Sequence, residues 1–329
     1  MPQHNPHRGL DPLVEEIRRR DDPRLGIVYA WRFAELIPTR LGPLRRVAEY
    51  IELALRIWGE RGRDHILLRE FSTYFVFLTL LLVFPIRRKC VLLIAHNVQT
   101  AESKPREKRL LQWIARLGPR FACLESDAGM RTVLGVENAL VFAHPVVACP
   151  PPPHPDGARR VVGVAGDLRP EKGLDVVIGR LSEAFRDDPD IDFRLGTNRV
   201  DAARQRWPQT EVSDTTDQSD YIAFLQQLDL LVLSYPEASY RYRASGVIAE
   251  ATGCGTAVIC TDLPCLRKQV MSPATGGAVL APKAFAAEET IETIRTLAAQ
   301  GPQLAEALAE NTRSREAAKI VDSILAQLA

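Results

Sequence analysis

The chain has 329 residues, 46% of them hydrophobic and 25% charged. That balance excludes a disordered chain, and the length suits two domains of ordinary size. The net charge of +1 conceals an asymmetry, because 23 Lys and Arg stand against 16 Asp and Glu from Met1 to Pro155, and 19 against 25 in the remainder.

Short apolar runs alternate with helical patterns in the first half. Strands are expected at Gly26–Trp31, Asp64–Arg69, Cys90–Ala95, Arg120–Glu125 and Ala139–Ala143. An amphipathic helix is expected over Leu44–Arg61, with Val47, Ile51, Leu53, Leu55 and Trp58 toward a core, and another helix over Arg106–Leu117. The run YFVFLTLLLVF, Tyr74 to Phe84, is too short to span a bilayer. It reads first as a buried helix packed on a sheet. The alternative is a monotopic helix dipping into anionic lipid, since Arg87, Arg88 and Lys89 follow.

Four prolines, Pro150 to Pro153, then break the pattern near the midpoint and read as a stiff linker. The alternation resumes with strands at Arg160–Ala165, Asp192–Gly196, Asp229–Leu233 and Ala257–Thr261. Helices are expected at Gly173–Phe185, Tyr221–Gln227, Ser245–Gly253, Ala286–Gln300 and Arg313–Leu328. Continuously apolar strands between helices imply parallel sheets covered on both faces. The expected architecture is therefore α/β, with two doubly wound Rossmann-like domains facing across a cleft. They divide as an N-terminal domain over 1–149, a linker over 150–158, a C-terminal domain over 159–310 and a closing helix over 311–329.

Two segments in the second half carry chemistry. In VVGVAGDLRPEKGLDVVIGRL, Val161 to Leu181, a buried strand runs through Gly166 into a polar loop with Arg169 and Lys172, and Gly173 opens a helix. A helix start offers unpaired N–H groups and the positive end of the dipole, and the two basic residues add full charges for a diphosphate. The spacing is not the dinucleotide fingerprint, and many such turns carry a basic residue for no catalytic reason. In SGVIAEATGCGTAVICTDLP, Ser245 to Pro264, Ser245 is the expected N-cap and Gly246 lets a phosphate approach the backbone. Glu250 falls among small and apolar neighbours on the same helix, where a solvated role is harder to sustain.

The two segments, in this order, resemble the donor-binding domain of glycosyltransferase family 4, a GT-B family of retaining nucleotide-sugar glycosyltransferases. The matching residues are Glu171-Lys172-Gly173, Glu250-Ala251-Thr252-Gly253-Cys254-Gly255 and the strand DLLVLS from Asp229 to Ser234. The resemblance implies that Lys172 contacts a diphosphate, that Glu250 contacts ribose, and that Ser245, Gly246 and Val247 offer backbone N–H groups. Asp167 and Tyr242 stand where the family carries Arg and Glu; Arg169 and Glu237 are the nearest substitutes, and Arg241 and Arg243 are further phosphate candidates. His96, at the end of CVLLIA, resembles the family histidine that faces the cleft, whereas His144 precedes a proline and ranks below it.

The implied reaction moves a sugar from a nucleotide-sugar donor to a glycan or lipid-linked saccharide. His96 and Glu237 are the catalytic candidates, and the donor is a substrate, with no metal or cofactor expected. No nucleic-acid partner is implied. A peripheral membrane contact through the basic N-terminal domain accompanies this reading. Six scattered cysteines without a C-x-x-C pair, and a first segment lacking an apolar core, fit a cytoplasmic location, including the inner membrane face. Rival readings are a non-catalytic GT-B module and a nucleotide-sugar epimerase on the same fold.

Overall fold

The computed structural model describes residues 11–29, 42–69, 73–94, 97–150, 159–166, 174–286 and 288–329. The described chain divides into two compact units. One comprises the described residues of 11–143 with 317–329, and the other the described residues of 144–316.

The first unit begins with helix α1 (Asp11–Arg20) and strand β1 (Leu25–Tyr29). There follow α2 (Gly42–Gly59), β2 (His65–Arg69), α3 (Thr73–Leu82), β3 (Cys90–Ile94), α4 (Asn97–Ser103), α5 (Pro105–Arg116), β4 (Arg120–Leu124) and β5 (Leu140–Phe142). All five strands are parallel, in the sequential order β1-β2-β3-β4-β5. Every residue of β3 is buried, as a central parallel strand requires.

Right-handed crossovers repeated in one direction place the connecting helices on one face of this sheet. There α2 packs on α3, and α3 on α5. The expected core stripe of α2 is corrected by the burial. Leu53, Ala54 and Ile57 point inward, while Val47, Ile51 and Leu55 are each more than half exposed. The helix is apolar around more than half its circumference, so hydrophobic periodicity alone does not choose the inner face. The reading of the Tyr74–Phe84 run as a buried helix is corrected similarly. Thr73, Val76, Thr79 and Leu80 of α3 are buried, but Tyr74, Leu78, Leu81, Leu82 and Phe84 are exposed.

The second unit contains β6 (Arg160–Ala165), α6 (Leu174–Ala184), β7 (Ile191–Thr197), α7 (Val200–Arg206), β8 (Glu211–Asp214), α8 (Gln218–Gln226) and β9 (Leu230–Leu233). It continues with the one-turn α9 (Glu237–Tyr240), α10 (Gly246–Gly253), β10 (Ala257–Thr261), α11 (Pro264–Met271), β11 (Gly277–Leu280), α12 (Glu288–Ala298) and α13 (Gly301–Ser314). Its six parallel strands run in the order β11-β10-β9-β6-β7-β8. The outermost strands β8 and β11 have four residues each and carry no long apolar run. Edge strands of that kind leave little pattern to read.

The closing helical patterns also resolve differently. Three helices stand where two are expected, because Gly301 and Pro302 start α13 as a new helix. The last helix, α14 (Ala317–Leu328), returns to the first unit. It packs on α1 and β5, and buries Ile320, Val321, Ile324, Leu325 and Leu328. Arg20 of α1 bridges Glu16 on its own helix and Asp322 of α14, and its Nη2 donates to the Ala318 carbonyl at 2.8 Å.

Candidate functional site

The strand order of the second sheet reverses direction once. From β6 the chain builds outward through β7 to β8, and then crosses back to lay β9, β10 and β11 on the other side. Connections leave β6 and β9 on opposite faces and open a crevice beyond their carboxyl ends. The first sheet has no such reversal among its described strands.

At the end of β6, Gly166 adopts a φ of 129° and donates its N–H to the Gly196 carbonyl at 3.0 Å. A side chain at that φ is strained, so this position at the end of β6 favours glycine. Asp167, Arg169 and Lys172 follow in the chain and lie outside the described residues. His96, just after β3, also lies outside them.

At the end of β9, Tyr235 is buried, and its N–H donates to Thr261 Oγ1 of β10 at 2.8 Å. Its hydroxyl shares a hydrogen bond of 2.9 Å with Ser245 Oγ. Ser245 is the N-cap of α10, its Oγ accepting from the Ile248 N–H at 3.3 Å. Gln269 of α11 clamps the same residue from both sides, its Oε1 accepting from Ser245 N at 2.7 Å and its Nε2 donating to Ser245 O at 2.9 Å. The Ser245 side chain is thus committed to holding the helix start. The N–H groups of Gly246 and Val247 are what the first turn leaves for an anion. A Cβ built on Gly246 meets nothing within 4 Å, so the approach to those groups is open.

One turn further, Glu250 is half-buried on α10, and burial raises its carboxyl above the ordinary glutamate range. The side chains of Tyr221 and Gln218 on α8 partly offset that burial. The Tyr221 hydroxyl lies beside the carboxylate without a well-formed hydrogen bond, and its own ionisation is pushed up by burial and by the nearby Glu250 charge. A carboxylate with incompletely filled acceptor capacity can take hydroxyl donors from a ligand.

The loop between β9 and α10 holds the remaining candidates. Glu237 is exposed and paired with Arg241, whose Nη2 approaches its Oε1 to 2.7 Å. Arg243 lies over the Tyr240 ring at 5.2 Å, and Tyr240 stacks on Tyr235 at 4.0 Å between centroids. The structure therefore joins Ser245, Gly246, Val247 and Glu250 on one helix. Arg243 is tied to the same region through two aromatic rings, and Glu237 stands in a surface ion pair. Sequence reasoning passed over Tyr221, Tyr235, Tyr240 and Gln269. The aromatic spacing in YPEASYRYR was the available signal for two of them; Gln269 carries none, because its partner is 24 residues away.

Cys90, Cys123, Cys254, Cys260 and Cys265 are buried free thiols, and Cys149 is partly exposed. Burial pushes the Cys90 and Cys254 thiols up to about 12, so both stay protonated at neutral pH. Among the described residues no cluster of three or more His, Cys, Asp or Glu is placed to hold a metal ion.

Parallel α/β sheets bind their ligands at a reversal of this kind, so the crevice beyond β6 and β9 is where the second unit offers a binding site. Comparison with known proteins indicates the class. Residues 159–300 match the family model described as glycosyl transferases group 1. The structure of Anabaena Alr3699/HepE, solved with UDP and glucose, is similar over 98% of this chain and 96% of that one, at 16% identity and a TM-score of 0.68. A glycosyltransferase from Rickettsia africae ESF-5 is similar over 98% and 93%, at 12% identity and a TM-score of 0.68. A chain of the GtfA/B complex aligns with 80% of this chain at 14% identity and a TM-score of 0.57, and this chain spans only 57% of its length. No curated protein matches by sequence. Residues 159–300 thus match a group 1 glycosyltransferase domain, and the chain shares the GT-B fold of the solved glycosyltransferases.

Proposed function

We propose that the chain transfers a sugar from a nucleotide-sugar donor to a saccharide or lipid-linked acceptor in polysaccharide or glycolipid synthesis, with retention of configuration and without a metal. The observation that carries this reading is the open start of α10 beside the β6/β9 reversal, with Glu250 one turn along. The first-turn N–H groups and the basic residues Arg169 and Lys172 would neutralise a departing diphosphate, the part a metal otherwise plays. Glu250 would accept the ribose hydroxyls. His96 and Glu237 are the groups proposed to face the transferred sugar, and Arg243 a further phosphate contact.

One observation favours the rival, a non-catalytic donor-binding module: the Glu237 carboxylate is engaged by Arg241. That pair is solvent-exposed, and such pairs are worth at most about 1 kcal/mol, so a charged ligand displaces it readily. Transfer remains the better reading. The solved complex of HepE with UDP and glucose makes uridine diphosphate sugars the first donors to screen. Purified protein is expected to melt at higher temperature with the right donor and to release nucleoside diphosphate when acceptor is added. Lys172→Ala is expected to lose transfer by a hundredfold or more, on the order of 3 kcal/mol. A Lys172→Ala protein with full transfer activity would overturn the assignment, and donor binding without turnover over any acceptor class would establish the module.

A further inference from the structure

Three neighbouring helices of the first unit turn apolar side chains to solvent. On α2 the outward stripe is Val47, Ile51 and Leu55, spaced four residues apart, and Leu55 is 65% exposed. On α3 the corresponding stripe is Leu78 and Leu82, and Phe84, just past the end of the helix, is 63% exposed. Ring contacts hold the three helices side by side: Tyr50 of α2 on Phe75 of α3 at 4.3 Å, and Phe77 of α3 near Trp113 of α5 at 6.4 Å. Trp113 is itself 58% exposed. Scattered apolar residues on a surface need no explanation, but adjacent stripes on three packed helices make a patch that does.

The charges around the patch identify what it meets. Residues 71–101 contain no acidic residue. Residues 84–120 contain nine basic and two acidic residues. On α5, Arg106, Arg109 and Arg116 are exposed at helical spacing from Trp113, on its face of the helix. Arg87 places its guanidinium 4.1 Å from the centre of the Phe84 ring. A tryptophan among arginines, with apolar stripes beside it, is the composition of a helical face lying in the boundary between headgroups and acyl chains. No described helix is long and apolar enough to cross a membrane. A second copy of the chain fits worse, because an isologous contact through this patch would set its basic rim against itself.

We infer that the outer face of α2, α3 and α5 seats the protein on an anionic lipid bilayer, its apolar stripes entering the interface and its arginines meeting the headgroups. This inference does not depend on the transfer reaction. It gives the first unit a task of its own, to hold the protein at a membrane face.

Flotation with vesicles tests it on the full chain. Wild type is expected to float with vesicles of equimolar phosphatidylcholine and phosphatidylglycerol at low salt, and to remain behind with phosphatidylcholine alone. Arg109→Glu with Arg116→Glu is expected to reduce partitioning at least about tenfold, since each basic residue near such a surface contributes about 1 kcal/mol. Leu78→Glu with Leu82→Glu is expected to abolish the fraction that resists high salt. Both pairs are solvent-facing, so the thermal shift given by nucleotide is expected to stay unchanged, which also reports on folding. If the leucine pair does not fold, the arginine pair carries the test alone. The inference is overturned if wild type ignores anionic vesicles, if it floats equally with neutral ones, or if the arginine pair floats like wild type. A dimer dissolved by the leucine pair, with no lipid binding, would assign the face to a second copy instead.

Discussion

Glu250 and Ser245 sit on the same short helix, yet they divide its work. Ser245 is buried and hydrogen-bonded to the Ile248 N–H, the Tyr235 hydroxyl and Gln269, so its task is structural. Ser245→Ala is expected to destabilise the protein by about 2 kcal/mol, from a lost cap and an orphaned tyrosine hydroxyl, as read by urea unfolding. Glu250 is the reverse case. Its raised carboxyl pKa means that the folded state holds the proton more tightly than the unfolded chain does. The stability from that proton is present at low pH and is lost as pH rises through the raised value. Glu250→Gln is therefore expected to match or exceed the wild-type melting temperature at pH 7, while weakening nucleotide binding on the order of tenfold. By the same sign, nucleotide affinity of the wild type is expected to fall on acidification at a higher pH than an ordinary glutamate near 4.5 would dictate, measurable by calorimetric titration. A loss of melting temperature in Glu250→Gln would make the residue structural instead.

Two glycines of α10 separate in the same way at the scale of the element. Gly246 faces open space, whereas a Cβ on Gly253 would lie 2.0 Å from the Val147 carbonyl oxygen. Gly253 also accepts a hydrogen bond from Cys149 N at 2.8 Å, so this end of the helix is fastened to the segment before the prolines. Gly253→Ala is expected to cost several kcal/mol, about 3 or more, because backbone rather than a side chain must move. Gly246→Ala is expected to leave the unfolding midpoint within about 0.5 kcal/mol of wild type while impairing nucleotide binding. The helix itself was legible in the sequence from its Ser-Gly start and its Gly-rich end. Which glycine is sterically obligatory was not, because Val147 lies 106 positions away in the chain. The α2 stripe shows the same limit: its apolar positions are visible, but only packing against α3 and β1 selects Leu53, Ala54 and Ile57 as the inner ones.

At the scale of the whole molecule, the chain leaves the first unit before His144 and re-enters it at Ala317. Burying five large apolar side chains of α14 contributes on the order of 10 kcal/mol, comparable to the whole stability of a domain. Ending the chain after Glu316 is therefore expected to unfold the first unit and leave nucleotide-dependent stabilisation of the second intact. Hydrogen exchange resolves the two, with protection lost across β1 to β5 and retained across β6 to β11. Equal loss in both units would show that they do not fold separately.

The sequence by itself determined the alternation of apolar strands and helices, the proline break, and a βα turn followed by a Ser-Gly-to-Glu helix. Each of these is a local pattern, set by side-chain period, turn chemistry and capping within a few residues. Only the tertiary structure decided that β9 lies beside β6, which makes the crevice. It alone decided that Gln269 and Tyr235 lock the start of α10, and that α14 closes the first sheet. Those contacts join residues from ten to some three hundred positions apart. They are chosen by competition among many apolar faces of similar strength, and no short window of sequence records which face wins.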